Sequence, residues 1–312
     1  MTAIFLKLGG SLITDKTQAE TVREDVLARL AHEIARARQA QPHLQLVLGH
    51  GSGSFGHVAG AKHGTRQGVA TAAQWLGFAE VSDAAARLNR RVAAALLAEG
   101  VATVSWQPCA SAVVADGRIQ QMAVAPVQAA LAAGVLPLVY GDVAFDTVRG
   151  GTIISTEEVM GYLTAELRPH WLLLAGETAG VYDQTGAVIP RITAANFAAI
   201  APALGGSRGT DVTGGMASKV QEMLSLTAAH PHLRIRIFSA WSRSARNPVG
   251  GPRNGRGHGN QLGEGTNYEL RSTTFLEQFR TSYIVLRPLY HHFPSLSFCC
   301  SNKRSSRATT RA

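Results

Sequence analysis

An apolar run, Ile4-Phe5-Leu6-Lys7-Leu8, breaks at Gly9-Gly10-Ser11, and a second, Leu44-Gln45-Leu46-Val47-Leu48, runs into Gly49-His50-Gly51-Ser52-Gly53-Ser54-Phe55-Gly56-His57. Each run is too short to span a membrane and has the length of a buried strand. A strand that ends in glycine lets its backbone approach a ligand closely, and in open α/β folds that end is where ligands bind. The nine residues of the second turn hold four glycines, two serines and two histidines, so its backbone amides can surround an anion. Lys7 at the strand end and Lys16 just past the first turn add two positive charges for a polyphosphate. The spacing matches neither the G-x-x-x-x-G-K-[ST] phosphate loop nor the G-x-G-x-x-G dinucleotide turn.

With 312 residues, 46% of them hydrophobic, the chain can bury a large core. Its formal charge of +9 points to a nucleic-acid or membrane partner only if the charge sits on the folded body. It does not. Residues 239–312 hold 11 Lys and Arg against 3 Asp and Glu, which leaves 19 against 18 for residues 1–238. The three cysteines, Cys109, Cys299 and Cys300, form no disulfide framework and no metal-ligand spacing, which fits a reducing cytoplasm. No export signal and no apolar run of about 18 residues is present, so neither export nor a membrane partner is expected.

Along the chain, residues 18–39 carry Val22, Val26, Leu27, Leu30 and Ile34 at helical spacing and are expected to cover a sheet. Residues 49–57 are expected as a loop, and 71–98 as one or two helices with Trp75, Phe78 and Val81 on one side. Strands are expected at 101–106, 135–139, 171–175 and 233–238, hairpins at 113–117 and 144–155, and a short helix at 126–133 ended by Gly134. Ser155 or Thr156 can cap a helix whose first turn holds Glu157 and Glu158. Gly214-Gly215 lead into a further helix with Lys219 on its first turns, again an anion arrangement.

Taken in order, KLGGSLITDK at 7–16, GSGSFGH at 51–57, YGDV at 140–143, ISTEE at 154–158, GVYD at 180–183 and DVTGGMASK at 211–219 resemble the amino acid kinase superfamily. GSFGH at 53–57, with its final histidine, resembles the isopentenyl phosphate kinases within it rather than uridylate, glutamate or acetylglutamate kinases. The resemblance implies a three-layer α-β-α sandwich around a largely parallel sheet over residues 1–239, assembled as a homodimer. It implies transfer of the γ-phosphoryl of ATP, with Mg²⁺, to isopentenyl phosphate. Another superfamily kinase with a uridylate, amino acid or fosfomycin acceptor, or a nucleotide-binding sensor without turnover, stays open as an alternative.

Carried over by position, Lys7, Gly9, Gly10, Ser11, Lys16, Gly53, Gly214 and Lys219 fall on nucleotide-phosphate positions, and Thr178 and Asp183 near the nucleoside end. Ser52, His57 and Thr156 fall on acceptor positions. Glu158 matches an acidic position that would hold the lysines in register, and no protein-held metal is implied. The chemistry agrees. Phosphoryl transfer needs charge stabilisation more than covalent help, and an acceptor phosphate already ionised at pH 7 needs no strong base. His57 is therefore read as a donor that orients the acceptor.

Beyond Phe238 the composition changes: residues 240–265 are rich in Arg, Gly, Asn and Pro without periodicity. A nucleic-acid arm is a rival reading, but no stacking platform or RNA-binding motif accompanies the charge, so no nucleic-acid partner is expected. If Ala240-Trp241-Ser242-Arg243 is encoded GCC TGG AGC CGG, reading two bases later yields Leu-Glu-Pro, the family's kind of ending. The tail of 240–312 is thus expected to be a frameshifted continuation. Sequencing the coding DNA should reveal one insertion or deletion whose repair restores that ending; a reading frame that no single change restores contradicts it.

Overall fold

The computed structural model describes residues 3–203 and 215–241. In chain order come β1 (Ala3–Leu8), the one-turn helix α1 (Gly10–Ile13), the short strands β2 (Thr14–Asp15) and β3 (Thr21–Val22), α2 (Glu24–Ala40), β4 (Gln45–His50), α3 (Gly53–His63) and α4 (Ala72–Ala98). There follow β5 (Thr103–Trp106), α5 (Pro108–Ser111), β6 (Ala112–Ala115), β7 (Arg118–Met122), α6 (Ala125–Ala132), β8 (Leu136–Tyr140), β9 (Asp142–Asp146) and β10 (Gly150–Ile154). The last are α7 (Thr156–Leu167), β11 (Trp171–Gly176), α8 (Ala194–Ile200), α9 (Gly215–Ala229) and β12 (Arg234–Ser239).

A six-stranded sheet has the order β12-β11-β1-β4-β8-β5, with every neighbouring pair parallel. Successive side chains of a strand point to opposite faces, so each face takes alternate residues. Leu6 and Leu8 of β1, with Leu46 and Leu48 of β4, join α2 and α4 in one core. Phe5 and Val47 join α7 and α9 in the other. The sheet is thus covered by helices on both faces, the α-β-α sandwich that the resemblance implies. Lys7 shares the parity of Phe5, which sends its side chain toward α7 and α9 rather than into the α2–α4 core. The hairpins β6–β7 and β9–β10 form a second sheet, β10-β9-β6-β7, beside the first. Asp116 and Gly117 turn the first hairpin with φ of 49° and 76°.

Two expectations are corrected. The first long helix begins at Glu24, not at 18, because Thr21 and Val22 pair antiparallel with Asp15 and Thr14. Residues 49–57 are not one loop: β4 runs on to His50 and α3 starts at Gly53. The glycines that make α3 a poor helix former also let it lie close to its neighbours, and at Gly77 of α4 an added Cβ would stand 2.4 Å from the His63 ring. The region 71–98 is the single helix α4, closed at its start by a capping box between Thr71 and Gln74.

Gly10 and Gly53 bring the ends of β1 and β4 together. A Cβ on Gly10 would stand 2.3 Å from the Gly53 nitrogen, and one on Gly53, whose φ is +51°, would stand 2.0 Å from Thr14 Oγ1. Left-handed backbone at a non-glycine residue costs about 1–3 kcal/mol before any clash. Gly53→Ala should therefore lower the thermal unfolding midpoint by several degrees and cut nucleotide affinity, read by scanning calorimetry and titration; an unchanged midpoint contradicts the close packing.

Candidate active site

A cavity of about 750 Å³ opens at the carboxyl ends of β1, β4 and β11. Its floor is made by Gly9, Gly10 and Ser11 after β1 and by Gly51, Ser52 and Gly53 after β4. Backbone hydrogen bonds tie the end of β1 to both neighbours: Gly51 N–H after β4 donates to the Leu8 carbonyl at 2.9 Å, and Gly9 N–H to the Ala175 carbonyl of β11 at 2.7 Å. The buried Thr14 hydroxyl donates to the Gly10 carbonyl at 2.8 Å and accepts from Ser54 N–H at 3.0 Å, joining one turn to the other.

Lys7 enters this cavity from β1 with only 8% of its surface exposed. Its Nζ lies 2.5 Å from Oε1 of Glu157 on α7, and Nζ of Lys219 on α9 lies 3.7 Å from the same oxygen. One carboxylate thus holds two ammonium groups from elements 150 and 62 residues away in the chain. Burial opposes ionisation of Glu157, but the charges of Lys7 and Lys219 outweigh it and bring its pKa down to about 2.

Ser155 Oγ accepts from Glu158 N–H at 3.1 Å, and Glu158 Oε2 accepts from Ser155 N–H at 2.5 Å, a reciprocal cap on α7. Glu158 also meets Arg66, at 3.0 Å from Nη2. Its expected partners, the lysines, belong to Glu157 instead. The capping arithmetic explains the correction: in Ser155-x-x-Glu158 the second acid is turned back to the helix start, which leaves Glu157 to face the cavity. Thr156 is buried and spends its hydroxyl on the His50 carbonyl at 2.6 Å, fastening α7 to the end of β4. His50 is itself buried, its ring bonded to Asn89 at 3.2 Å, and burial lowers its pKa to about 4, so it stays neutral at physiological pH.

Comparison with known proteins settles what this arrangement belongs to. The model of the amino acid kinase family matches residues 2–239. The isopentenyl phosphate kinase of Haloferax volcanii is 40% identical over 229 residues, covering 73% of this chain and 90% of the relative. That of Methanothermobacter thermautotrophicus is 34% identical, covering 72% and 86%. Among solved structures, one of an isopentenyl phosphate kinase superimposes with a TM-score of 0.64 at 29% identity, over 76% of this chain and 91% of that one.

The chain belongs to the amino acid kinase family.

Of the positions carried over from the resemblance, Lys7, Gly9, Gly10, Ser11, Lys16, Ser52, Gly53, Thr156, Thr178 and Lys219 all line this cavity, Lys16 at its exposed rim. Asp183 does not line it. Its Oδ1 accepts from Thr185 N–H, Thr185 Oγ1 and Ala187 N–H and so closes a turn outside the site. Hydrogen bonding to Thr185 correspondingly lowers its pKa. Gly214 lies outside the described residues; His57 lies on α3, and its side chain is outside them too. Thr14 and Arg66 were not singled out by reading motifs, and of the two acids at the start of α7 the lysines were assigned to Glu158 rather than Glu157. Only Glu157 left a signal, through the capping pattern beside it.

A carboxyl whose folded pKa lies below its ordinary 4.5 stabilises the fold fully above that pH and loses the contribution as pH falls toward 2. Glu157→Gln leaves the two lysines without their shared countercharge at a cost of about 3 kcal/mol. The variant should unfold at lower denaturant at pH 7, with the gap to wild type narrowing below pH 4.5; a gap independent of pH contradicts this role.

Proposed function

We propose that this cavity transfers the γ-phosphoryl of ATP to isopentenyl phosphate, giving isopentenyl diphosphate and ADP. The observation that carries the reading is Glu157 holding Lys7 and Lys219 together over the glycine amides of two strand ends. Bringing two phosphates into contact requires positive charge at the point of transfer, and amides and ammonium groups fixed beforehand supply it without reorganisation. In this reading Lys7, Gly9, Gly10, Ser11, Gly53, Gly214 and Lys219 hold the nucleotide's phosphates, Thr178 lies toward its nucleoside, and Lys16 reaches over the transferring group. Ser52 and the backbone of Thr156 bound the acceptor's end, where His57 donates to its phosphate. No residue has to remove a proton, because the attacking oxygen belongs to an ionised phosphate.

Mg²⁺ in this reading arrives on the nucleotide. No group of three or more His, Cys, Asp or Glu side chains among the described residues is placed to hold a metal ion. Of the cavity's acids, Glu157 is taken by two lysines, Glu177 pairs with Arg23 at 2.8 Å, and burial raises the pKa of Asp142, opposing its ionisation. Phosphate oxygens and water would be the ligands, and the ion would neutralise charge on the departing diphosphate. We assign residues 1–239 to the kinase domain and 240–312 to a frameshifted tail, supported by a family match that ends at 239. A homodimer in the cytoplasm completes the proposal. No helix among the described residues is long and apolar enough to cross a membrane.

An ADP-release assay with isopentenyl phosphate, dimethylallyl phosphate, UMP, glutamate and fosfomycin tests the acceptor. Turnover of isopentenyl phosphate is expected, and activity with only UMP or an amino acid contradicts it. His57→Ala should lower kcat for isopentenyl phosphate about a hundredfold, the loss typical of one transition-state donor, while ATP affinity holds. Equal loss of both contradicts the donor role.

A further inference from the structure

Arg66 lines the same cavity, yet no motif singles it out. It sits in a single 3₁₀ turn, Thr65–Gln67, between Gly64 at φ +61° and Gly68 at φ +140°. That turn is strapped to the β9–β10 hairpin from both sides: Thr152 Oγ1 donates to the Arg66 carbonyl at 3.1 Å, and Val69 N–H to the Arg149 carbonyl at 2.9 Å. The guanidinium is held in turn. Nη1 donates to the Ile153 carbonyl at 3.1 Å and to Glu158 Oε2 at 3.3 Å, and Nη2 to Glu158 Oε1 at 3.0 Å.

These contacts put the charge at a boundary. Through Ile153 it adjoins apolar lining of the cavity: Ile153 packs against the cluster that holds Val81, and a Cβ on Gly60 would stand 3.1 Å from its Cδ1. Through Glu158 and Ser155 it adjoins the start of α7, whose Glu157 holds Lys7 and Lys219. A guanidinium has five N–H donors. Among the described residues three of these contacts are made, by Nη1 and Nη2, and the side chain keeps 38% of its surface exposed. Nε–H and one Nη2–H therefore remain to meet an incoming anion in the planar geometry that suits a phosphate.

We propose that Arg66 contacts the acceptor's phosphate and so restricts the acceptor to small amphiphiles whose anionic head directly adjoins an apolar tail. The inference rests on the proposed reaction and deepens it. The head would lie between Arg66 and the lysine cluster, the tail against Ile153 and Val81. Glu158 keeps the guanidinium aimed before the acceptor arrives and leaves room for a second anion on its open edge.

Steady-state kinetics on the full chain test this. Arg66→Ala should raise KM for isopentenyl phosphate about ten- to a hundredfold, as expected for a lost hydrogen bond between charged groups. KM for ATP should stay within about twofold, because the nucleotide's phosphates rest on other residues. Arg66→Lys should fall between the two, since an ammonium keeps the charge but not the fork. A role confined to holding Glu158 and α7 would raise both KM values together, through Lys7 and Lys219. An equal rise for ATP, or an unchanged KM for isopentenyl phosphate, overturns the inference while leaving the parent reaction standing. Wild-type enzyme that does not turn over isopentenyl phosphate overturns both. If Arg66→Ala does not fold, Arg66→Lys carries the same comparison.

Discussion

The carboxylate of Glu157 shared between Lys7 and Lys219 is the interaction on which the site depends. Like charges at a cavity floor repel, and an ammonium group as buried as that of Lys7 is costly without a countercharge. One largely enclosed acid between them offsets that cost and fixes both ammonium groups relative to the strand ends. It also couples three elements at the cavity: the middle of the sheet through β1, the start of α7, and the first turns of α9. The pair remains net positive, which an anion of high charge needs and a neutral metabolite does not.

The rest of the architecture can be read as what makes that meeting possible. Alternation along β1 sends Lys7 to the α7–α9 face while Leu6 and Leu8 anchor the strand to the opposite core. Parallel pairing puts the carboxyl ends of β1, β4 and β11 side by side. Their turns can then touch only because Gly10 and Gly53 lack side chains, with Thr14 filling the remaining contact. The reciprocal cap between Ser155 and Glu158 sets the rotation of α7, and with it the direction of Glu157. A change of one residue in that phase would aim Glu157 away from Lys7.

Much of this was legible in the residues themselves. The apolar runs marked the central strands, Asp116-Gly117 marked a hairpin, and the order of the glycine-rich motifs identified the fold and the reaction. What was not legible depended on tertiary contact. Helix α3 hides in a glycine-rich stretch because close packing against α4, not intrinsic propensity, supports it. Val22 has helical spacing but is captured by a two-residue strand pair. Arg66 stands between two glycines in a segment without periodicity, and only the fold carries it to Glu158 and Ile153. Asp183 shows the reverse: a motif position whose carboxylate is spent on its own turn.

The central claim is that cations gathered from distant parts of the chain offset the repulsion between donor and acceptor phosphates in a single cavity. Calorimetric titration with a compound joining adenosine to isopentenol through a tetraphosphate measures this most directly, because such a ligand spans both anions at once. The account predicts tight binding by the wild-type protein, weakened at least about tenfold in Lys219→Met, the loss of one charge-assisted contact. Equal affinity in the two proteins would contradict it.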